Sequence, residues 1–139
     1  MTTVQVVEQV AASANVVWGI LGDFGGVKVG GPVEAVEVEG EGVGAIRTIT
    51  MNGAKIVERL EAHDEASLAF TYAIINEDHP LPVSNYSATV KITADGENAC
   101  SVDWTGTFEP RGADEETASN LVRGIYAGGI EGARRALTG

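Results

Sequence analysis

The sequence predicts an α+β domain in which a curved antiparallel sheet wraps a long C-terminal helix. Three observations carry this expectation. Seven segments alternate between apolar and polar residues as half-buried strands do. Turn signals separate most of them. One long amphipathic helical pattern closes the chain. No repeat, low-complexity run or linker divides the 139 residues, so a single domain spanning 1–139 is expected.

The elements follow in order. Residues 2–10 alternate as a first strand. In SANVVWGILGDF, Ser13 stands as an N-cap, with Val16, Val17, Ile20 and Leu21 at helical spacing. GGVKVGG is a loop or a broken short helix, because glycine at this density disfavours anything longer. Two short helices are therefore expected after strand 1. Strands follow at 33–39, 44–51, 54–63, 67–75, 85–94 and 99–108. Their turns are EGEG at 39–42, NG at 52–53, HDEAS at 63–67 and DGEN at 95–98. NEDHPLPVS, 76–84, is the one long strand connection, stiffened by two prolines.

The last helix should run from about Ala113 to Leu137. Asp114, Glu115 and Glu116 suit its first turn and Arg134 and Arg135 its last, matching the helix dipole. Ala118, Val122, Ile125, Gly129 and Ala133 give one apolar stripe. Gly124, Gly128, Gly129 and Gly132 each cost roughly 1 kcal/mol against alanine. They mean close packing on the sheet, space under the helix for a ligand, or both.

Bulk properties exclude several functions. The net charge of −11 repels a phosphate backbone or an anionic membrane, so neither nucleic acid nor membrane is an expected partner. No apolar run reaches the roughly 18 residues of a membrane-spanning helix. MTTVQVVEQV lacks the basic-then-apolar build of a signal peptide, so a cytoplasmic protein is expected. Cys100 is the single cysteine, which rules out an internal disulfide. His63 and His79 lie in turns without ligand-spaced partners, so no metal site is expected. His79 reads as an exposed loop histidine. Trp18 and Cys100 read as core residues, and Asp23 as a cap or tie for the helix pair. No nucleotide-binding or hydrolase motif is present, and EGEGVG precedes a strand, not the helix a phosphate cradle needs.

Side-chain alternation assigns the inward faces. Cys100, Val102, Trp104 and Phe108 form one face of their strand, as do Tyr86, Ala88, Val90 and Ile92 of theirs. Leu68, Phe70, Tyr72 and Ile74 are the bulkier set in 67–75. The hairpin GAIRTITMNGAKIVERL contains an anomaly. Asn-Gly is the strongest two-residue hairpin signal, and it pairs Met51 with Ala54, Ile49 with Ile56 and Arg47 with Glu58. The opposite face is mostly polar, so Arg47 and Glu58 point inward with the apolar set. On an exposed sheet such a pair is worth roughly 0–1 kcal/mol, and buried it is often less stable than an apolar pair. Both a structural and a functional role remain open on this ground.

The order of elements, with VWGILGDFG, GVGAIRTI, KIVERLEAHDEASLAFTY, LPVSNYSATVKI and CSVDWTGTFEP in sequence, resembles the Bet v 1-like (START, polyketide cyclase/dehydrase, SRPBCC) superfamily across the whole chain. It is most similar to the lachrymatory-factor-synthase-like subgroup. The resemblance implies a helix-grip fold: a seven-stranded sheet clamped on the last helix, with an internal cavity between them. It also implies that Arg47 in AIRTI and Glu58 in VERL handle oxygen stabilisation and proton transfer. Tyr72, Tyr86 and Trp104 match aromatic positions of the cavity wall. Gly31 stands where relatives commonly carry a tryptophan before the proline, which points to a more open wall.

Two functions fit. One is a cofactor-independent lyase, isomerase or cyclase acting on a small, mostly apolar carbonyl- or sulfur-containing molecule. Arg47 would hold an oxyanion, Glu58 would move a proton and Tyr72 would bond the substrate oxygen. The other is a carrier or receptor for a small hydrophobic carboxylate or carbonyl compound. In either case Ile49, Ile56, Phe70, Val102, Leu121 and Ile125 join Tyr86 and Trp104 as expected lining residues. NEDHPLPVS and the glycine-rich 25–31 segment are expected to gate the cavity. The sequence does not fix an oligomeric state.

Overall fold

A computed structural model describes residues 1–24 and 33–138. The elements are β1 (Thr2–Val10), α1 (Ala14–Leu21), β2 (Val33–Glu39), β3 (Ile46–Met51), β4 (Ala54–Asp64), β5 (Ala69–Ile74), β6 (Val83–Ala94), β7 (Cys100–Pro110) and α2 (Glu115–Thr138). The seven strands form one curved antiparallel sheet in the order β1-β7-β6-β5-β4-β3-β2. Consecutive strands pair as hairpins from β2 to β7, and β1 closes against β7. The seven-stranded antiparallel sheet and long C-terminal helix expected of a helix-grip fold are present. The second short helix, the residue Gly31 and the glycine-rich gate all fall on 25–32, outside the described residues.

Local chemistry sets these boundaries. Ser13 caps α1 by accepting from the Val16 N–H at 3.3 Å. Asp114 lies just before α2 and accepts from the Thr117 N–H at 2.8 Å, so it caps the helix from outside the first turn. Near the other end Arg134 reaches Glu8 at 2.8 Å and the Gln9 carbonyl at 2.6 Å, tying α2 to β1. The β3–β4 turn has positive φ at Asn52 (53°) and Gly53 (77°), as a type I′ hairpin demands. Its register is the expected one, with Arg47 opposite Glu58, Ile49 opposite Ile56 and Met51 opposite Ala54.

The core lies between the concave face of the sheet and α2, whose buried residues are Ala118, Val122, Tyr126, Ile130 and Ala133. This corrects the expected helix stripe. Leu121 and Ile125 are 42% and 41% exposed and cannot line an internal site. The stripe advances by four residues from Val122 to Tyr126. A step of three to the more apolar Ile125 rotates the face away from the sheet. Gly124, Gly128 and Gly132 share the outer side with them, and a β-carbon there would meet nothing within 4 Å. Gly129 alone fits the close-packing explanation, since a β-carbon would lie 2.6 Å from the Trp104 ring.

Candidate functional site

Arg47 and Glu58 are each 7% exposed, and they meet across the hairpin in a bond of 2.6 Å from Nε to Oε1. Arg47 Nη1 also donates to the Phe24 carbonyl at 3.0 Å. These bonds use two of the five N–H donors of the guanidinium. The Phe24 ring covers it at 4.2 Å, and the Tyr72 ring lies 5.3 Å away on β5. Burial raises the Glu58 pKa above its ordinary value, and the Arg47 charge and hydrogen bond oppose that rise only in part.

A second cluster adjoins this pair. Tyr72 contacts Tyr86 hydroxyl to hydroxyl at 3.1 Å, and Tyr86 contacts Tyr126 at 2.5 Å. The Trp104 indole N–H donates to the Tyr72 oxygen at 3.2 Å. Burial pushes all three phenols above the usual tyrosine value. The Trp104 and Tyr126 rings stack with centroids 5.2 Å apart. Gly106 on β7 is what admits Tyr126, because a β-carbon there would overlap its hydroxyl.

Of the expected lining residues, Ile56, Phe70 and Val102 are buried in or beside this core, and Ile49 is half-buried. Two pockets flank the clusters. One, of about 340 Å³, is lined by Asp23, Phe24, Val38, Ala45, Leu60 and His63 among others. The other, of about 460 Å³, includes Ile74, Asn76, His79, Asn85, Tyr86 and Arg111. Tyr86 is the one expected site residue on either wall. Phe24 both lines the first pocket and covers Arg47 with its ring, while Ala45 and Leu60 are the next residues along the same face of the hairpin.

Both histidines differ from expectation. His63 belongs to β4, stacks on Trp18 at 5.0 Å and contacts the Gly22 carbonyl at 3.2 Å. His79 is only 6% exposed, and its Nδ1 accepts from the Leu81 N–H at 3.2 Å. Arg111 donates to the Glu77 and His79 carbonyls at 2.8 and 3.3 Å, tying NEDHPLPVS to the end of β7, and this ring is buried instead of solvated. Burial and nearby Arg111 lower its pKa. Trp18 packs on Phe70, and Cys100 is fully buried, both as expected. Among the described residues, no group of three or more His, Cys, Asp or Glu is placed to hold a metal.

Sequence reasoning misses Phe24 and Tyr126. Phe24 gives no periodic signal at the edge of the glycine-rich stretch. Tyr126 does give one, as the fourth residue after Val122 and the eighth after Ala118.

The family described as polyketide cyclase/dehydrase and lipid transport matches residues 1–138. The chain belongs to this family. No curated protein sequence matches it. Among solved structures, an uncharacterised protein from Bacillus thuringiensis is 28% identical, with a TM-score of 0.87 over 99% of this chain and 100% of its own. The protein XoxI from Bacillus cereus is 29% identical, with a TM-score of 0.86 over 98% of this chain and 95% of its own. Norcoclaurine synthase from Thalictrum flavum, solved with dopamine and hydroxybenzaldehyde, is 21% identical, with a TM-score of 0.79 over 99% of this chain and 86% of its own. That likeness is one of fold, the Bet v 1-like fold. Within this polyketide cyclase/dehydrase-type protein, the buried Arg47–Glu58 pair adjoins the phenol cluster through the Tyr72 ring, and Tyr126 ties that cluster to α2. No helix among the described residues is long and apolar enough to cross a membrane.

Proposed function

We propose that this chain is a single-domain, cytoplasmic enzyme of the lyase, isomerase or cyclase type. It acts on a small, mostly apolar carbonyl compound without metal or nucleotide. The carrying observation is the ion pair Arg47–Glu58, buried on the concave face where an apolar pair would serve stability as well or better. Substrate approaches from the 340 Å³ pocket and displaces the Phe24 ring from Arg47. Arg47 then holds the carbonyl oxygen with its fixed charge while negative charge develops there. Glu58, its pKa raised by burial, removes a proton beside the carbonyl and returns it elsewhere on the carbon skeleton. Tyr72 donates a hydrogen bond to the same oxygen. NEDHPLPVS, which carries the β5–β6 connection, gates the opposite pocket.

The hydroxybenzaldehyde held by norcoclaurine synthase makes aromatic carbonyl compounds a sensible first substrate panel, chosen among aryl-substituted β,γ-unsaturated aldehydes and ketones, which carry a removable proton beside the carbonyl. Glu58→Gln and Arg47→Ala should each abolish turnover of any compound the wild type converts. Unchanged turnover in both would end this reading.

A carrier or receptor function is the second reading. It is favoured by the match between the two charges, since Glu58 then only orients Arg47 toward a ligand carboxylate or carbonyl. A compound that raises the melting temperature and is recovered unchanged selects this reading. A compound that is consumed selects the first.

A further inference from the structure

The Tyr72–Tyr86–Tyr126 chain carries one more proton than it has links. Three hydroxyls share two contacts, of 3.1 and 2.5 Å, and each phenol can donate only once. Either one end holds a hydroxyl proton that no link consumes, or both ends donate to Tyr86 and leave the proton of that buried hydroxyl outside both links, the costlier arrangement. The two ends differ. Tyr126 is fully buried, its ring stacked on Trp104 and its hydroxyl set where a β-carbon of Gly106 would otherwise lie. Gly106 is paired with Val4 on one side and Ala88 on the other, so its backbone groups belong to the sheet ladder. A proton aimed there would meet no acceptor, which a buried donor does not tolerate well. The Tyr72 ring, by contrast, lies against Arg47 and beside the Glu58 carboxyl. Its oxygen already accepts from Trp104 Nε1, which can only donate.

We propose that the chain is directed: Tyr126 donates to Tyr86, and Tyr86 donates to Tyr72. Tyr72 accepts from both Tyr86 and Trp104, so its own proton is presented to an oxygen bound beside Arg47. Each link polarises the next, which strengthens the final donor. Tyr126, Tyr86 and Trp104 are thus positioning residues, and Tyr72 is the group that touches substrate. The arrangement selects a ligand group that accepts, a carbonyl or an enolate oxygen, and disfavours one that can only donate, such as an ammonium. This last step rests on the Arg47–Glu58 reading, whereas the direction of the chain does not.

The sequence makes the test clean, because these three residues are the only tyrosines in the protein. The full chain labelled at tyrosine 13Cζ should give three resonances, assignable by single Tyr→Phe substitutions. Tyr126→Phe keeps the stacked ring and removes the terminal proton. The expected result is that the Tyr86 and Tyr72 resonances both move, and that Trp104→Phe moves Tyr72 again. A Tyr72 resonance untouched by Tyr126→Phe would overturn the relay. If Tyr126→Phe does not fold, Tyr86→Phe decides the matter in the same way, through the Tyr72 resonance. A second arm adds 4-nitrophenolate, a pure acceptor oxygen, to the wild type and to Tyr126→Phe. Binding should shift the Tyr72 resonance and weaken by about fivefold in the variant. If 4-nitrophenolate fails to bind while the ligand-free shifts appear, the acceptor-oxygen site falls and the directed chain stands. If it binds equally to both proteins, the relay falls and the site stands.

Discussion

The two adjoining polar clusters are built in opposite ways. Arg47 and Glu58 come from one hairpin, eleven residues apart, and their meeting follows from a two-residue turn. Tyr72, Tyr86 and Trp104 come from the neighbouring strands β5, β6 and β7, and Tyr126 joins them only once α2 has docked. The first cluster holds a formal ion pair whose burial costs stability. The second holds neutral groups whose burial is matched by hydrogen bonds to one another. Local register therefore supplies the charge, and tertiary packing supplies the neutral donors around it.

The largest expected break in this contrast is Arg47→Ala. It leaves the Glu58 carboxylate buried without its partner and should lower stability by about 3–5 kcal/mol in denaturant titrations. Gly129→Ala attacks the other cluster from the helix side. Its β-carbon would press on the Trp104 ring at 2.6 Å and should cost about 1–3 kcal/mol. Gly128→Ala, one residue away but facing open space, should instead stabilise the chain by up to about 1 kcal/mol. Equal effects from these two alanines would mean that α2 does not sit on Trp104 as described.

A smaller effect concerns pH. Because the folded chain raises the Glu58 pKa above 4.5, it binds that proton more tightly than the unfolded chain does. The resulting stabilisation is fully present below 4.5 and is lost as pH rises through the folded pKa. Glu58→Gln removes this dependence. The variant should therefore gain in melting temperature relative to wild type as pH climbs above 4.5, and a constant difference would contradict the raised pKa.

How much of this is legible in the sequence depends on whether the decisive contacts are local. The strand pattern and the Asn52-Gly53 turn are enough to place Arg47 opposite Glu58, since strand alternation and hairpin geometry need no distant partner. The inward faces of Phe70, Tyr72, Tyr86, Val102 and Trp104 follow from the same alternation. The helix is less legible. Leu121 and Ile125 look like core residues by hydrophobicity, yet the buried face carries Tyr126, whose hydroxyl is accommodated by a glycine on β7. His79 misleads because its burial depends on how a proline-bearing connection folds against the sheet. Phe24 acts through a ring contact and a backbone carbonyl, neither of which leaves a mark in the sequence.

Arg47 and Glu58, on this reading, are kept for chemistry and not for stability. Replacing both at once, Arg47→Met with Glu58→Leu, separates the two roles when unfolding and ligand response are compared with the wild type. The expected double variant is equally stable or more stable, by up to about 4 kcal/mol, and no longer binds or converts any compound the wild type does. A double variant that is markedly less stable yet still responds to the ligand would show that the pair serves the fold instead.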